Sequence, residues 1–303
     1  MTEVKKVECI RCKASHPETL YSGDDRLCVY CKAQIAEQGP LPTVPEPEPT
    51  KEETLEEKAR AELALRFLTR KRLLPFVERF NPDYSAGWVH KDICKRLEEF
   101  SRDVTEKKSP RLMLFMPPRH GKSTLASVAF PAWHLGRNPE HEFISCSYSG
   151  SLAMGFSRKV RGLLREEGYK SAFKTRLDPH SQSAEAWLTT AGGGYVAAGV
   201  GGGITGKGAH ILVIDDPVKN RDDAESSNAR DSAWDWYTST AYTRLAPGGG
   251  VLVILTRWHD DDLAGRLLKS GLQGGDEWEV VRYPAIAEED EEFRKAGEAL
   301  HPE

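Results

Sequence analysis

Apolar positions along this chain follow two different rhythms. From residue 55 to residue 80 they recur at helical spacing (Leu55, Ala59, Leu63, Phe67, then Leu73 and Leu74), which predicts an amphipathic helix. Residues 88–100 predict another, with Ile93, Leu97 and Phe100 on one face. Beyond residue 110 the pattern changes to short continuous apolar runs at 112–116, 143–148, 195–200, 211–214 and 251–255. Helical patterns lie between them, at 123–135, 152–165, 222–245 and 261–269. Strands apolar on both faces and alternating with helices predict an α/β fold with a mostly parallel central sheet flanked by helices. Glycines crowd residues 192–194 and 199–208, which predicts flexible loops flanking a hairpin strand.

Composition sharpens the division of the chain. Lys and Arg number 42 against 46 Asp and Glu, a formal charge of −4. The balance is uneven: residues 39–58 carry −4, residues 59–275 carry +7, and residues 276–303 carry −7. A basic body between acidic ends is compatible with a polyanionic partner, though charge alone is weak support for one. No run of about 18 apolar residues exists, so no transmembrane helix and no membrane association are expected. Residues 1–11 are polar, so no secretory signal is expected either. Six cysteines are too few for a disulfide scaffold, and a reducing cytoplasm is the expected compartment.

Four of those cysteines fall close together. Cys9, Cys12, Cys28 and Cys31 form a C-x2-C-x15-C-x2-C pattern, the spacing of a four-thiolate zinc site. A 38-residue segment buries little core, so bound Zn²⁺ would supply its folding energy. Five prolines beside an acidic run then mark residues 39–58 as a stiff linker. The expected organisation is a zinc-binding module at 1–38, the linker, an α/β domain at 59–286 and an acidic tail at 287–303.

The strongest chemical signal follows the first buried run: Met116-Pro-Pro118-Arg119-His120-Gly121-Lys122-Ser123-Thr124. A strand before it and a helix after it give the setting a phosphate-binding loop needs. Backbone N–H groups around Arg119–Lys122 and the helix N-terminus would cradle the β-phosphate of ATP, with Pro118 at the start of the loop. Lys122 would reach the β- and γ-phosphates, and the Ser123 hydroxyl would join a Mg²⁺ shell, with Thr124 beside it. The first glycine of the usual pattern is replaced by Met116. A second buried run ends in Asp215-Asp216-Pro217, delivering carboxylates to a strand's C-terminal end, where ligands bind in open α/β sheets. Asp215 would hold Mg²⁺ and Asp216 would polarise an attacking water. A third run ends in Thr256-Arg257-Trp258-His259, suited to sensing the γ-phosphate.

Together these motifs resemble the motor domain of tailed-phage terminase large subunits. The likeness runs over residues 81–284 and includes Asp262-Leu-Ala-Gly-Arg266. It implies a P-loop NTPase of the additional-strand type that hydrolyses ATP to drive double-stranded DNA into a procapsid. Portal protein, a small terminase subunit, a homo-oligomeric ring when active and action in the host cytoplasm are implied with it. So is an adenine contact near residues 82–90, where Tyr84 or Trp88 could stack on the base or simply pack in the core. The family usually continues into a nuclease domain; no stretch here supplies its carboxylate cluster, and no DNA cleavage is expected of these residues. The family often has glutamate after the metal-binding aspartate, where this chain has Asp216. It often has an Arg-Gly pair before that strand, a trans-acting finger, where this chain has Lys207. The finger is therefore Lys207, or Arg119 in cis, or Arg244 or Arg257. A rival reading is a nucleotide-gated, zinc-containing DNA-binding adaptor whose hydrolysis is incidental.

Overall fold

The computed structural model describes residues 6–8, 15–17, 32, 54–204 and 206–300. The chain divides into two compact units, 1–55 and 56–303. In the first, β1 (Lys6–Glu8) pairs antiparallel with β2 (Ser15–Pro17), setting Val7 opposite His16. All four candidate zinc ligands lie outside the described residues, as does most of the expected linker.

The second unit opens with α1 (Leu55–Lys71) and α2 (Leu73–Phe80). The sequence predicted one helix here. It breaks at Arg72, which is extended (φ −129°, ψ 139°). Pro75 explains the break, because its ring would clash with the carbonyl of Lys71 in a continuous helix. The Glu98 carboxylate then accepts the freed Leu73 N–H at 2.6 Å. Helix α3 (Trp88–Thr105) contributes Glu98 and runs five residues longer than its apolar face indicated.

Strand β3 (Arg111–Phe115) leads through the lysine-bearing loop into a π-helical turn, Thr124–Ala129, continued by α4 (Phe130–Arg137). Then follow β4 (Glu142–Ser147), α5 (Gly150–Arg165), α6 (Glu167–Ala172), β5 (Leu177–Gln182), β6 (Ala186–Thr189), β7 (Gly194–Gly199) and β8 (Ala209–Asp215). The single helix expected at 222–245 is four pieces: α7 (Arg221–Glu225), α8 (Ser227–Trp236), a π turn over Tyr237–Ala241 and a 3₁₀ turn over Tyr242–Arg244. Ser226 divides the first two by accepting the Ala229 N–H on its hydroxyl, a local bond that favours a helix start over continuation. Strand β9 (Leu245–Leu255), α9 (Leu263–Gly271) and β10 (Glu279–Arg282) complete the regular elements.

The eight strands form one sheet in the order β10-β3-β9-β8-β4-β7-β6-β5. The first six run parallel; β6 is antiparallel to them, and β5, antiparallel to β6, returns to their direction. The sheet is thus mostly parallel and helix-flanked, as the alternating pattern predicted. Consecutive side chains along the central strands feed opposite cores. Leu112, Leu114, Ile211, Val213, Leu252 and Ile254 face one side, where α2–α5 pack. Met113, Ile144, Leu212, Ile214, Val251 and Val253 face the other, against α8 and α9. Gly250 lets α3 approach β9 closely, since a Cβ there would sit 2.6 Å from the Phe100 ring.

The segment expected as an acidic tail packs on the domain through residue 300. Ala287 and Leu300 are buried, Ile286 bridges Ala299, and the buried Arg294 pairs with Glu291 at 2.7 Å. Its exposed face carries Glu288, Glu289 and Glu292.

Candidate functional site

Parallel pairing fixes which strand ends meet. Phe115 is level with Leu255, and Asp215 is level with Ile254, so the loops after β3, β8 and β9 emerge at one sheet edge. Strand β9 lies between the lysine-loop strand β3 and the aspartate strand β8. Three sequence motifs separated by up to 140 residues therefore converge.

The loop turns sharply at two left-handed positions, Arg119 (φ 64°) and Gly121 (φ 77°). Glycine suits the second because an L side chain is strained at that φ, and the site lies beside the Tyr84 hydroxyl and the His90 ring. His90 braces the loop from below. Its Nδ1 accepts the Gly87 N–H at 3.0 Å, so its proton is on Nε2, which donates to the His120 carbonyl at 3.3 Å. His120 in turn bonds the Pro118 carbonyl through Nδ1 at 2.8 Å. Pro118, Arg119 and Thr124 are exposed at the mouth; Ser123 is half-buried.

Lys122 is buried and points along the strand ends. Its Nζ lies 2.6 Å from Asp216 Oδ2 and 2.8 Å from Oδ1, and donates to Thr256 Oγ1 at 3.0 Å. Asp216 is itself in the left-handed region (φ 45°), which turns its carboxylate from the end of β8 across toward β3. Its Oδ1 also accepts the Thr256 N–H at 3.0 Å, and the Thr256 hydroxyl donates to the Met116 carbonyl at 3.1 Å. One carboxylate thus ties the ends of β3, β8 and β9 together.

Asp215 faces the other way, into the domain. It is 1% exposed, and its Oδ2 accepts the Ser127 hydroxyl at 2.6 Å. Burial pushes its carboxyl up to about 6; the Ser127 hydroxyl opposes that rise and the neighbouring Asp216 charge adds to it. Its Oδ1 is buried without a hydrogen-bond partner. An orphaned carboxylate oxygen beside the start of the loop helix is the donor a divalent cation requires, and Ser123 is placed to share it. Ser127 was missed in the sequence, although it stands one helical turn beyond Ser123 on the face toward the sheet. It comes from the π turn, a distortion frequent at functional sites.

Other candidates are placed apart. Arg257 is engaged by Asp262, which accepts from its Nε at 2.7 Å, and by the carbonyls of His259 and Asp260. The buried Asp262 also caps α9 by accepting the Gly265 N–H at 2.8 Å. Tyr84 packs edge-on against His90, rings 5.4 Å apart, beneath the loop. Trp88 is taken up in packing: it stacks on Phe293 at 5.0 Å and meets Tyr283 edge-on. Lys207 is exposed before the start of β8, and Arg244 directly precedes β9. Seven residues of β8 span about 20 Å, so both lie at the opposite sheet edge from Asp215. Beside the site, a cavity of about 560 Å³ is lined by Phe115, Thr256, Arg257 and Tyr283 and walled by Glu288 and Glu289.

A lysine-bearing loop, two adjacent carboxylates and the Thr256 hydroxyl thus meet at the C-terminal edge of the mostly parallel sheet of an α/β protein. Residues 113–303 match the family model of the terminase large subunit, T4likevirus-type, N-terminal, more than half of the chain. The chain belongs to that family, which points to a role in phage DNA packaging. No curated protein matches it. Among the described residues, no helix is long and apolar enough to cross a membrane.

Proposed function

We propose that this chain is an ATP-hydrolysing motor that drives double-stranded DNA into a procapsid, a P-loop NTPase of the additional-strand type. The observation that carries this reading is the convergence of Lys122, Asp215, Asp216 and Thr256 at one sheet edge, with β9 interposed between β3 and β8. Backbone N–H groups of residues 119–123 would hold the phosphates, and Lys122 would leave Asp216 to neutralise them. Asp215 and Ser123 would hold Mg²⁺, which supplies charge neutralisation at the phosphoryl group when bound. Released from Lys122, Asp216 is free to orient a water and take its proton, while Thr256 donates toward the oxygen that replaces its present partner. Loss of that partner on hydrolysis would shift the Thr256–Arg257 turn and with it α9, since Asp262 joins the two.

Expected partners are the portal, a small terminase subunit and further copies of the chain in a ring, acting in the host cytoplasm. The four cysteines would hold one structural Zn²⁺. Phosphate release measured with and without long duplex DNA tests the reading. Turnover stimulated by DNA and abolished in Lys122→Ala is expected; tight DNA binding with no turnover would favour an adaptor instead.

A further inference from the structure

At the sheet edge away from Lys122, the C-terminal ends of α1, α4 and α6 surround a cavity of about 720 Å³. Six cations line it, Arg70, Lys71, Arg137, Lys170, Lys174 and Arg176, and no carboxylate does. Two of the six build the wall. Arg70 donates to the Ala172 carbonyl at 3.1 Å, and Arg176 donates to the carbonyls of Lys170, Phe173 and Thr175 at 2.7–3.0 Å. Lys170 pairs with the exposed Glu167 just outside. The remaining three are exposed and lack an ion-pair partner among the described residues. Lys71 lies over the Phe67 ring at 5.9 Å, and the Arg137 guanidinium lies over the Trp133 ring at 4.5 Å. Stacking fixes the Arg137 guanidinium while leaving its N–H groups free.

Like charges gathered in a concavity repel one another and raise the local potential, so an anion is drawn in and stabilises the arrangement. The cavity is broad and open, and its free donors are spread over three elements rather than converging on one point. That spacing suits successive phosphates along a chain better than a single compact anion. Arg137 also ends the helical rod that begins at Lys122: residues 122–137 are continuous helix through the π turn, about 24 Å long.

We propose that this basic cavity binds the sugar–phosphate backbone of duplex DNA, at a site separate from the nucleotide site. This rests on the DNA-packaging reading and assigns it a surface. The test uses the full chain, without nucleotide, titrated with a labelled duplex of about 30 base pairs over a range of salt concentrations. In Lys71→Gln/Arg137→Gln/Lys174→Gln, affinity should fall at least tenfold and the log–log salt slope should flatten by about 2–3, each lost phosphate contact contributing about 0.9. The charge-retaining Lys71→Arg/Arg137→Lys/Lys174→Arg protein should keep the wild-type slope. Phosphate release without DNA should be unchanged in both, which verifies folding. Wild-type affinity and slope in the glutamine variant would overturn the site while leaving the DNA reading intact. A wild-type protein that hydrolyses ATP yet binds no duplex would overturn both. Loss of tripolyphosphate binding with duplex binding unaffected would reassign the cavity to a compact anion.

Discussion

Lys122 and Asp216 hold one another: the ammonium lies 2.6 Å from one carboxylate oxygen and 2.8 Å from the other. The group proposed to bind phosphate and the group proposed to activate water are thereby each other's partner. Phosphate arriving at Lys122 would release Asp216 for chemistry, so binding and activation are coupled through one exchange of partners. Asp216→Asn separates the two roles. It frees Lys122, so nucleotide affinity is expected to hold or rise, while phosphate release falls by about 10²–10⁴-fold, the usual worth of a general base. Equilibrium binding of a labelled nucleotide beside a turnover assay checks both; unimpaired turnover would remove Asp216 from the chemistry.

Ser127→Ala takes away the hydroxyl that Asp215 accepts. A buried group losing its partner costs about 1–3 kcal/mol. The cost is expected to be larger at pH 8, where Asp215 is ionised, than at pH 5, below its value of about 6. Urea denaturation at the two pH values reads this directly. Divalent cation should restore part of the loss at pH 8.

A second pH effect arises at the far edge. His134 is fully buried, bonded to Ser101 at 2.7 Å and to His141 at 3.0 Å; His141 stacks on His210 with centroids 4.3 Å apart. Burial holds His134 and His141 below the ordinary imidazole range, and the neighbouring imidazole depresses each further. Both are neutral in the fold but protonate readily once unfolded. The stability they permit is therefore present above about pH 6.5 and lost progressively below it. Thermal midpoints should drop between pH 7.5 and pH 5.5, and the drop should shrink in His141→Gln.

For the cysteine module, the expected content is one zinc per chain. Chelation should unfold residues 1–38 and leave the nucleotide site working. Elemental analysis of freshly purified, reduced protein checks the stoichiometry, and its absence would end the assignment.

Lys207 and Arg244 can reach a phosphate only from a neighbouring subunit, whereas Arg119 stands at the loop itself. Lys207→Ala subunits mixed into wild type should depress turnover beyond simple dilution if Lys207 acts in trans, and Lys207→Arg should retain or raise it. Normal turnover by pure Lys207→Ala protein would transfer the role to an arginine.

The buried strands were legible because β3, β4, β8 and β9 carry apolar runs too short for a buried helix and bounded by turn residues. The polar edge strands were not: β5, LDPHSQ, contains Pro179 and a largely solvated face, and β10 has only Val280 and Val281 to mark it. Asp215, Asp216 and Thr256 could be read because they follow directly on apolar runs, and Lys122 because its loop joins such a run to a helix. Ser127 and His90 could not, since their partners lie 88 and 30 residues away in sequence. Trp88 shows the opposite limit: an aromatic expected either to meet adenine or to pack in the core stacks on Phe293, about two hundred residues later, which no local pattern announces.

The two edges of the sheet carry different equipment: carboxylates and the lysine loop on one, Lys207 and Arg244 on the other. A contact that completes one molecule's site with another's far edge must join unlike surfaces. Made in one direction only, rather than reciprocally across a two-fold axis, such a contact is head-to-tail. Repeated, it either comes round on itself as a ring or runs on as a filament. The polarity of the parallel strands thus becomes the polarity of the assembly, and every copy would stand to its neighbour as donor on one side and acceptor on the other.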